Sequence, residues 1–232
     1  MVNQRPVTFL SAGPRPLRLE GIFHTLDSDR PLPASVICHP HPLGGGSMHN
    51  SLVVAIAGAL ASSGVLALRF NFRGVGTSEG AHDNGRGERD DIVGALDWLR
   101  AHPAVDPACV SLVGYSFGAC VGLPLALTNP AVSAFAAVGL AVGFCDPDLL
   151  RPFIGRGQAP SLASPEPHAC PKFFLTGQRD QLAPPGELIE LVERLPAPKS
   201  VQIVPGADHF WWGFEARVGD LVAEFIASLG SN

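Results

Sequence analysis

Apolar and polar residues follow one another along the chain in two rhythms, one typical of strands and the other of helices. Short apolar, β-branched runs such as 65–72 and 172–177 predict strands that are buried on both faces. Longer stretches with apolar residues at helical spacing, such as 50–63 and 214–229, alternate with these runs and predict helices. Repeated strand–helix units of this kind predict an α/β protein with a mostly parallel sheet and helices on both faces.

The order of the predicted elements is regular except in one place. The chain opens with two strand-like segments, 7–11 and 17–26, which we interpret as an antiparallel pair. The other predicted strands are 33–40, 65–72, 108–115, 131–142, 172–177 and 200–204, and the predicted helices are 50–63, 88–103, the segment after Ser116, 186–195 and 214–229. Residues 144–170 are rich in Pro and Gly, and we expect a small lid there, because long irregular connections are more often functional than idle. No linker or repeat divides the chain, so we expect one domain over residues 1–232.

Composition narrows the function classes. With 232 residues, 46% of them hydrophobic, the chain is able to bury a sizeable core. Its net charge of −5, its two lysines and its scattered arginines argue against a nucleic-acid partner. The N-terminus lacks the apolar core of a signal peptide, and no apolar window is long enough to predict a membrane span. Five widely spaced cysteines without a CxxC pair favour a reducing compartment, so we expect a cytoplasmic protein.

The stretch 109–127 carries the strongest chemical signal. It has the pattern of a buried strand, a very tight turn and an apolar helix, with Ser116 at the turn between Gly114 and Gly118. A serine in a Gly-x-Ser-x-Gly turn between a strand and a helix is held with its hydroxyl exposed, and the glycines avoid collisions behind the turn. This arrangement predicts a nucleophilic serine.

A second Gly-x-Ser-x-Gly match, residues 76–80, surrounds Ser78. Its flanks are polar and turn-like, with neither a strand that enters nor a helix that leaves. The context therefore favours Ser116 as the nucleophile and Ser78 as a turn residue.

A nucleophilic serine needs a base and an acid that orients the base. Downstream of Ser116 the chain has two histidines, His168 and His209. His209 follows a predicted strand, at the edge where catalytic groups collect in open α/β sheets, whereas His168 lies in the irregular stretch. Asp180 also follows a predicted strand and lies between Ser116 and His209 in the chain, so we predict it as the acid.

Other aspartates compete for the role of the acid. Asp146 and Asp148 follow the strand before the irregular stretch and are the reserve candidates. Asp208 is adjacent to His209 in sequence, and we interpret it as a turn residue, because most isolated aspartates are solvated turn or cap residues.

Acyl transfer also needs backbone donors for the developing oxyanion. The N–H of Phe117, directly after the nucleophile, is one candidate. The other is expected in the loop 39–46, where Pro40 and Pro42 have no N–H to donate. Leu43, the first residue past the prolines, is the predicted second donor.

Three histidines in or near the same loop raise the question of a metal. His39, His41 and His49 are not accompanied by a carboxylate or cysteine cluster. Zinc sites require such ligand sets, so we expect no metal there.

Several motifs together resemble those of a known group of enzymes. In chain order they are HPHPLGGGSMHN (39–50), RFNFRGVGTSEG (69–80), GYSFG around Ser116, TGQRD around Asp180 and ADHF around His209. As a set they are similar to the motifs of the α/β-hydrolase superfamily, and more narrowly to those of the small, nearly capless bacterial hydrolases related to dienelactone hydrolase. The resemblance implies a central sheet of seven or eight strands, a Ser-His-Asp triad and ester hydrolysis without a cofactor.

These observations predict a serine hydrolase that cleaves short-chain carboxylic esters through an acyl-enzyme on Ser116, with a small-molecule ester as its partner. Two alternatives stay open. One is a non-catalytic scaffold of the same fold, and the other is an acyltransferase, thioesterase or amidase that uses the same triad.

Overall fold

The computed structural model describes residues 2–145 and 168–229. These residues contain one mixed sheet of eight strands. They are β1 (Val2–Leu10), β2 (Arg18–Leu26), β3 (Leu32–Cys38), β4 (Leu66–Phe70), β5 (Val105–Tyr115), β6 (Phe135–Val138), β7 (Lys172–Gly177) and β8 (Lys199–Val204). Their order across the sheet is β1-β2-β4-β3-β5-β6-β7-β8. β2 pairs antiparallel with β1 and β4, and all neighbours from β4 to β8 are parallel. The prediction of a mostly parallel sheet of seven or eight strands is confirmed.

Helices cover both faces of the sheet, as the alternating pattern predicts. They are α1 (Ser51–Ser62), α2 (Arg86–Arg100), α3 (Phe117–Thr128), α4 (Pro185–Arg194) and α5 (Glu215–Leu229). The apolar sides of α1 and α5 pack on one face, and those of α2, α3 and α4 pack on the other. Local signals fix the helix ends: Asn50 accepts the N–H of Leu52 at 3.0 Å to begin α1, and Gly64 adopts a left-handed φ of 83° just beyond its end.

The strand predicted over 131–142 is shorter in the structure, where β6 spans Phe135–Val138. Gly139 ends it with a left-handed φ of 57°. A Cβ at Gly139 would lie 3.3 Å from Cε1 of His209, so the absence of a side chain leaves room for that ring. The strand thus ends where a functional side chain packs against it.

The parallel strands bring the predicted site residues to one edge. Ser116 follows β5, Asp180 follows β7, His209 follows β8, and the loop 39–46 follows β3. The carboxyl ends of parallel strands meet at the same edge of a sheet, which is where open α/β sheets bind ligands.

Some predictions fall outside the described residues. Most of the lid predicted at 144–170 lies there, and so do the reserve acids Asp146 and Asp148. In the described ranges, no helix has both the length and the apolar character of a membrane span.

Candidate active site

Ser116 occupies a strained turn between β5 and α3. Its backbone has φ 53° and ψ −112°, a region that costs a residue with a side chain about 1–3 kcal/mol. A Cβ at Gly114 would lie 2.5 Å from Cα of Ala119, and one at Gly118 would overlap the carbonyl of Cys38. Both glycines therefore permit backbone contacts that no other residue allows, and these contacts hold the serine at the edge of the sheet.

Ser116, His209 and Asp180 form a hydrogen-bonded chain. Ser116 Oγ lies 2.9 Å from Nε2 of His209, and Nδ1 of His209 lies 2.9 Å and 3.0 Å from the two carboxylate oxygens of Asp180. The carboxylate is fully buried, and the imidazole is nearly so. Because a carboxylate only accepts, the proton of a neutral His209 lies on Nδ1, which leaves Nε2 free to accept from the serine hydroxyl.

The acid and the imidazole are each fixed by further contacts. One carboxylate oxygen of Asp180 accepts the N–H groups of Leu182 and Ala183, at 3.0 and 2.7 Å. The hydroxyl of Tyr115 donates to the carbonyl of His209 at 2.9 Å. These contacts fix the carboxylate of Asp180 and the backbone of His209 in the positions that the hydrogen-bonded chain to Ser116 requires.

The competing candidates make other contacts. Asp208 accepts the N–H of Phe210 at 2.9 Å, the hydrogen bond of a turn residue. Nε2 of His168 lies 2.8 Å from the carbonyl of Val132. Neither of these contacts involves Ser116.

Ser78 makes structural hydrogen bonds at the end of β4. Its hydroxyl donates to the carbonyl of Asn71 at 2.7 Å and accepts the N–H of Glu20 at 3.1 Å. The side chain of Asn71 in turn accepts the N–H of Met48 at 2.8 Å. The motif 69–80 therefore ties β2 and β4 to the segment that follows the loop 39–46.

The loop 39–46 is held by His39. Nε2 of His39 accepts the N–H of Phe72 at 3.1 Å, so Nδ1 carries the proton and donates to the carbonyl of Pro40 at 2.6 Å. In a trans peptide the N–H points opposite to the C=O. The N–H of His41 therefore points away from His39, and it has no acceptor among the described residues.

The predicted second oxyanion donor, Leu43, is already engaged. Its N–H donates to Nδ1 of His41 at 3.2 Å, and its side chain is 77% exposed. The backbone N–H groups of Gly44 and Gly46 both donate to the carbonyl of His41, at 3.0 Å. The N–H of Phe117, at the start of α3, has no acceptor among the described residues.

Two cavities meet at the Ser116–His209 pair. The serine-side cavity has a volume of about 280 Å³ and is lined by His41, His82, Asn84, Ser116, Phe117, Cys120, Ala141 and Leu182. The histidine-side cavity has a volume of about 450 Å³ and is lined by Arg179, Gln181, Leu182, Asp208, His209 and Phe210. Leu182 borders both. Sequence reasoning missed most of these wall residues, because the loops that carry them have no motif that marks a pocket.

One wall of the serine-side cavity carries the imidazoles of His41 and His82, whose ring centres are 5.1 Å apart. Nδ1 of His82 lies 2.8 Å from a carboxylate oxygen of Glu88, which is fully buried. Burial lowers the pKa of His41 and nearby His82 lowers it further, while Glu88 opposes the shift, and the net effect is a pKa below the ordinary 6.5. In the ranges 2–145 and 168–229 no three His, Cys, Asp or Glu side chains form a cluster that would hold a metal ion.

Two buried histidines predict a stability that depends on pH. Burial lowers the pKa of His39 to about 4, and burial together with Arg69 lowers that of His24 to about 4, from an ordinary 6.5. Unfolding exposes both rings to protons, so their stabilisation is complete above pH 6.5 and is lost as the pH falls toward 4. A tenfold change in proton affinity is worth about 1.4 kcal/mol, so we expect the free energy of unfolding to fall by roughly 3–5 kcal/mol between pH 7 and pH 4.5.

Urea unfolding at the two pH values measures this loss. His49→Ala, at an exposed position, should show the same loss as the parent protein. His39→Asn should show a smaller one, because one of the two titrating groups is gone. Equal stability of the parent protein at both pH values would contradict the prediction.

A family model and a curated relative show the family to which the chain belongs. The family model described as X-Pro dipeptidyl-peptidase (S15 family) matches residues 23–146, just over half of the chain. The chain belongs to the S15 family. An uncharacterized protein of Rickettsia prowazekii is 32% identical over 222 residues, which cover 93% of this chain and 87% of the relative.

Solved structures share the whole architecture. An alpha-beta serine hydrolase homologue from Coxiella burnetii is 31% identical with a TM-score of 0.75, and the match covers 94% of this chain and 96% of that one. A serine hydrolase without lid from Xanthomonas campestris is 25% identical with a TM-score of 0.76, over 98% of this chain and 96% of that one. The α/β-hydrolase fold is thereby confirmed, and family and fold together make the chain a hydrolase. The narrower relation to dienelactone hydrolase stays a prediction.

Proposed function

We propose that this S15-family hydrolase cleaves short-chain carboxylic esters through an acyl-enzyme on Ser116. The observation that carries the proposal is the hydrogen-bonded chain from Ser116 through His209 to buried Asp180. A serine hydroxyl is a poor nucleophile until a base accepts its proton. In this hydrogen-bonded triad His209 is the base, and Asp180 is the acid that orients it.

In the first half-reaction, His209 takes the proton of Ser116 while Oγ bonds to the acyl carbon. The tetrahedral intermediate collapses when His209 gives that proton to the departing alcohol. In the second half-reaction, a water molecule loses a proton to His209 while its oxygen bonds to the acyl carbon. The bond between that carbon and Oγ then breaks, and His209 returns the proton to Oγ, which releases the acid and the free serine. These steps need no cofactor.

For the oxyanion we propose the N–H groups of Phe117 and His41. The engagement of Leu43 with the imidazole of His41 argues against the donor predicted from sequence. Phe117 begins α3, where the helix dipole favours negative charge, and both Phe117 and His41 line the serine-side cavity.

A second candidate function is peptide hydrolysis, because the matching family model is described as a dipeptidyl-peptidase. Such a peptidase holds a substrate's free ammonium group, which calls for a carboxylate near the nucleophile. The described lining of the serine-side cavity contains no carboxylate, and Glu88 lies fully buried against His82. These features favour the ester.

Labelling with a fluorophosphonate probe tests catalysis against a scaffold role. We expect a covalent adduct at Ser116, located by mass spectrometry, and none in Ser116→Ala. Turnover of p-nitrophenyl acetate and of alanyl-proline p-nitroanilide then separates esterase from peptidase. A kcat/KM for the anilide that exceeds that for the ester would overturn the proposed function, and an unlabelled, inactive protein would favour the scaffold.

The small serine-side cavity predicts a preference for short acyl chains. A methylene that finds an apolar site contributes about 0.8 kcal/mol. The serine-side cavity, with a volume of about 280 Å³, is smaller than most ligand pockets and is partly lined by the polar side chains of His41, His82 and Asn84, so only the first methylenes of an acyl chain find an apolar site there. We expect kcat/KM of p-nitrophenyl esters to be highest for acetyl to butyryl groups. Ala141→Val narrows this cavity and should lower the rate for butyryl relative to acetyl esters. A rate that climbs steadily to decanoyl esters would contradict the prediction.

A further inference from the structure

The segment after His209 turns its aromatic side chains in opposite directions. Trp211 is fully buried beneath α5, whereas Phe210 is 57% and Trp212 80% exposed. Trp211 has a φ of 61°, which a bulky residue rarely adopts, and its buried Nε1–H has no partner within the described ranges. The fold thus keeps an unfavourable conformation at the residue between two exposed rings.

The two exposed rings form an aromatic platform beside the imidazole of His209. The ring centres of Phe210 and Trp212 are 6.2 Å apart, and Phe210 meets the ring of His209 edge-on at 5.8 Å. Phe210 also lines the histidine-side cavity. Strained backbone and clustered exposed aromatic side chains are both typical of binding sites.

The proposed mechanism determines which part of a substrate meets this platform. His209 must hand its proton to the oxygen of the departing alcohol, so that oxygen lies near Nε2 of His209. The substituent of the alcohol then extends into the histidine-side cavity. The acyl group extends the other way, into the cavity that Ser116 and Phe117 line.

We propose that the preferred substrates are esters of aromatic alcohols, whose ring packs against Phe210, the member of the aromatic platform that lines the histidine-side cavity. This inference rests on the proposed ester hydrolysis. Flat rings pair with aromatic side chains in offset or edge-to-face contacts. The charged side chains of Arg179 and Asp208 line the same cavity. Charged walls suit a small aromatic ring better than a long lipid chain, which would need a continuous apolar wall.

A comparison of benzyl acetate with ethyl acetate tests the inference. The two esters share the acyl group and have alcohols of similar acidity, so the intrinsic rates of acylation are close. We expect kcat/KM to be about tenfold higher for benzyl acetate. Cyclohexylmethyl acetate, which has nearly the same shape as benzyl acetate but no aromatic ring, should be slower than benzyl acetate.

Substitutions then locate the preference. In Phe210→Ala the benzyl-to-ethyl ratio of kcat/KM should fall toward one, and in Phe210→Tyr it should be retained. Leu10→Ala serves as the control, because Leu10 is 60% exposed but lies on edge strand β1, and its ratio should equal that of the parent protein.

The outcomes separate the two levels of the proposal. If neither ester is hydrolysed, ester hydrolysis itself is refuted. If both are hydrolysed with a ratio near one, or with the same ratio in Phe210→Ala, only the aromatic platform is refuted. Equal rates for benzyl and cyclohexylmethyl acetate also refute it. An unaltered ratio in Phe210→Ala, together with a blue shift of tryptophan fluorescence on phosphatidylcholine vesicles that is absent from Trp212→Phe, would refute it as well and would assign the exposed rings to a lipid surface.

Discussion

Replacement of Ser116 by alanine is expected to lower kcat for a short-chain ester by a factor of about a million, as removal of a triad serine does elsewhere. The hydroxyl is the only group at the turn that bonds to the acyl carbon in the proposed mechanism, and its 2.9 Å contact with His209 provides its activation. Circular dichroism and urea unfolding should show an intact fold, because alanine fits the same turn.

Ser78→Ala is the matched control, since Ser78 lies in the second Gly-x-Ser-x-Gly match. It should change kcat by less than roughly tenfold. It should lower the free energy of unfolding by about 1–2 kcal/mol, because the carbonyl of Asn71 and the N–H of Glu20 lose their shared partner. If Ser78→Ala abolished turnover in a folded protein while Ser116→Ala did not, the assignment of the nucleophile would be wrong.

Asp180→Asn should lower kcat by about four orders of magnitude with little change in the fold. An asparagine that turns its NH₂ group toward Nδ1 of His209 stabilises the tautomer with the proton on Nε2. That nitrogen then has no lone pair for the hydroxyl of Ser116. The hydrogen bonds from Leu182 and Ala183 are kept, because the amide oxygen of asparagine accepts them.

Asp106→Asn is the control for this substitution. Asp106 lies at the start of β5, at the opposite end of that strand from Ser116, and its carboxylate accepts the N–H of Ala108 at 3.0 Å. The amide oxygen of asparagine can do the same, so kcat should stay within a few-fold. Substantial activity in folded Asp180→Asn would assign the acid to another residue, and Asp146 and Asp148 are the candidates that the sequence offers.

Most of the fold was predictable because its elements depend on local patterns. Strand β7 matches its predicted range, Lys172–Gly177, and α5 differs from its range by one residue. The shortened β6 was not predictable, because the apolar run around it continues beyond Gly139. The strand ends there because Gly139 turns left-handed, beside the ring of His209, and that neighbour comes from a segment 70 residues away in the chain.

The candidate site divides in the same way. Ser116 could be singled out because its turn requires glycines at fixed neighbouring positions, which is a sequence-local constraint. His209 and Asp180 could be named from chain order and loop position. That the ring nitrogens of His209 lie within 3.0 Å of both Ser116 and Asp180 was decided by the tertiary structure. The second oxyanion donor could not be derived by counting past prolines, because the availability of an N–H depends on which partner it finds in three dimensions.

The sequence by itself determined the alternation of strands and helices, the strained serine turn and the candidate base and acid, because each depends on residue types at short range. Only the tertiary structure decided which backbone N–H groups are unpaired, which side chains line the two cavities, and that Trp211 is buried while Phe210 and Trp212 are exposed. In the sequence these three aromatic residues are equivalent neighbours. They differ because the apolar face beneath α5 accepts one ring and leaves the other two in solvent.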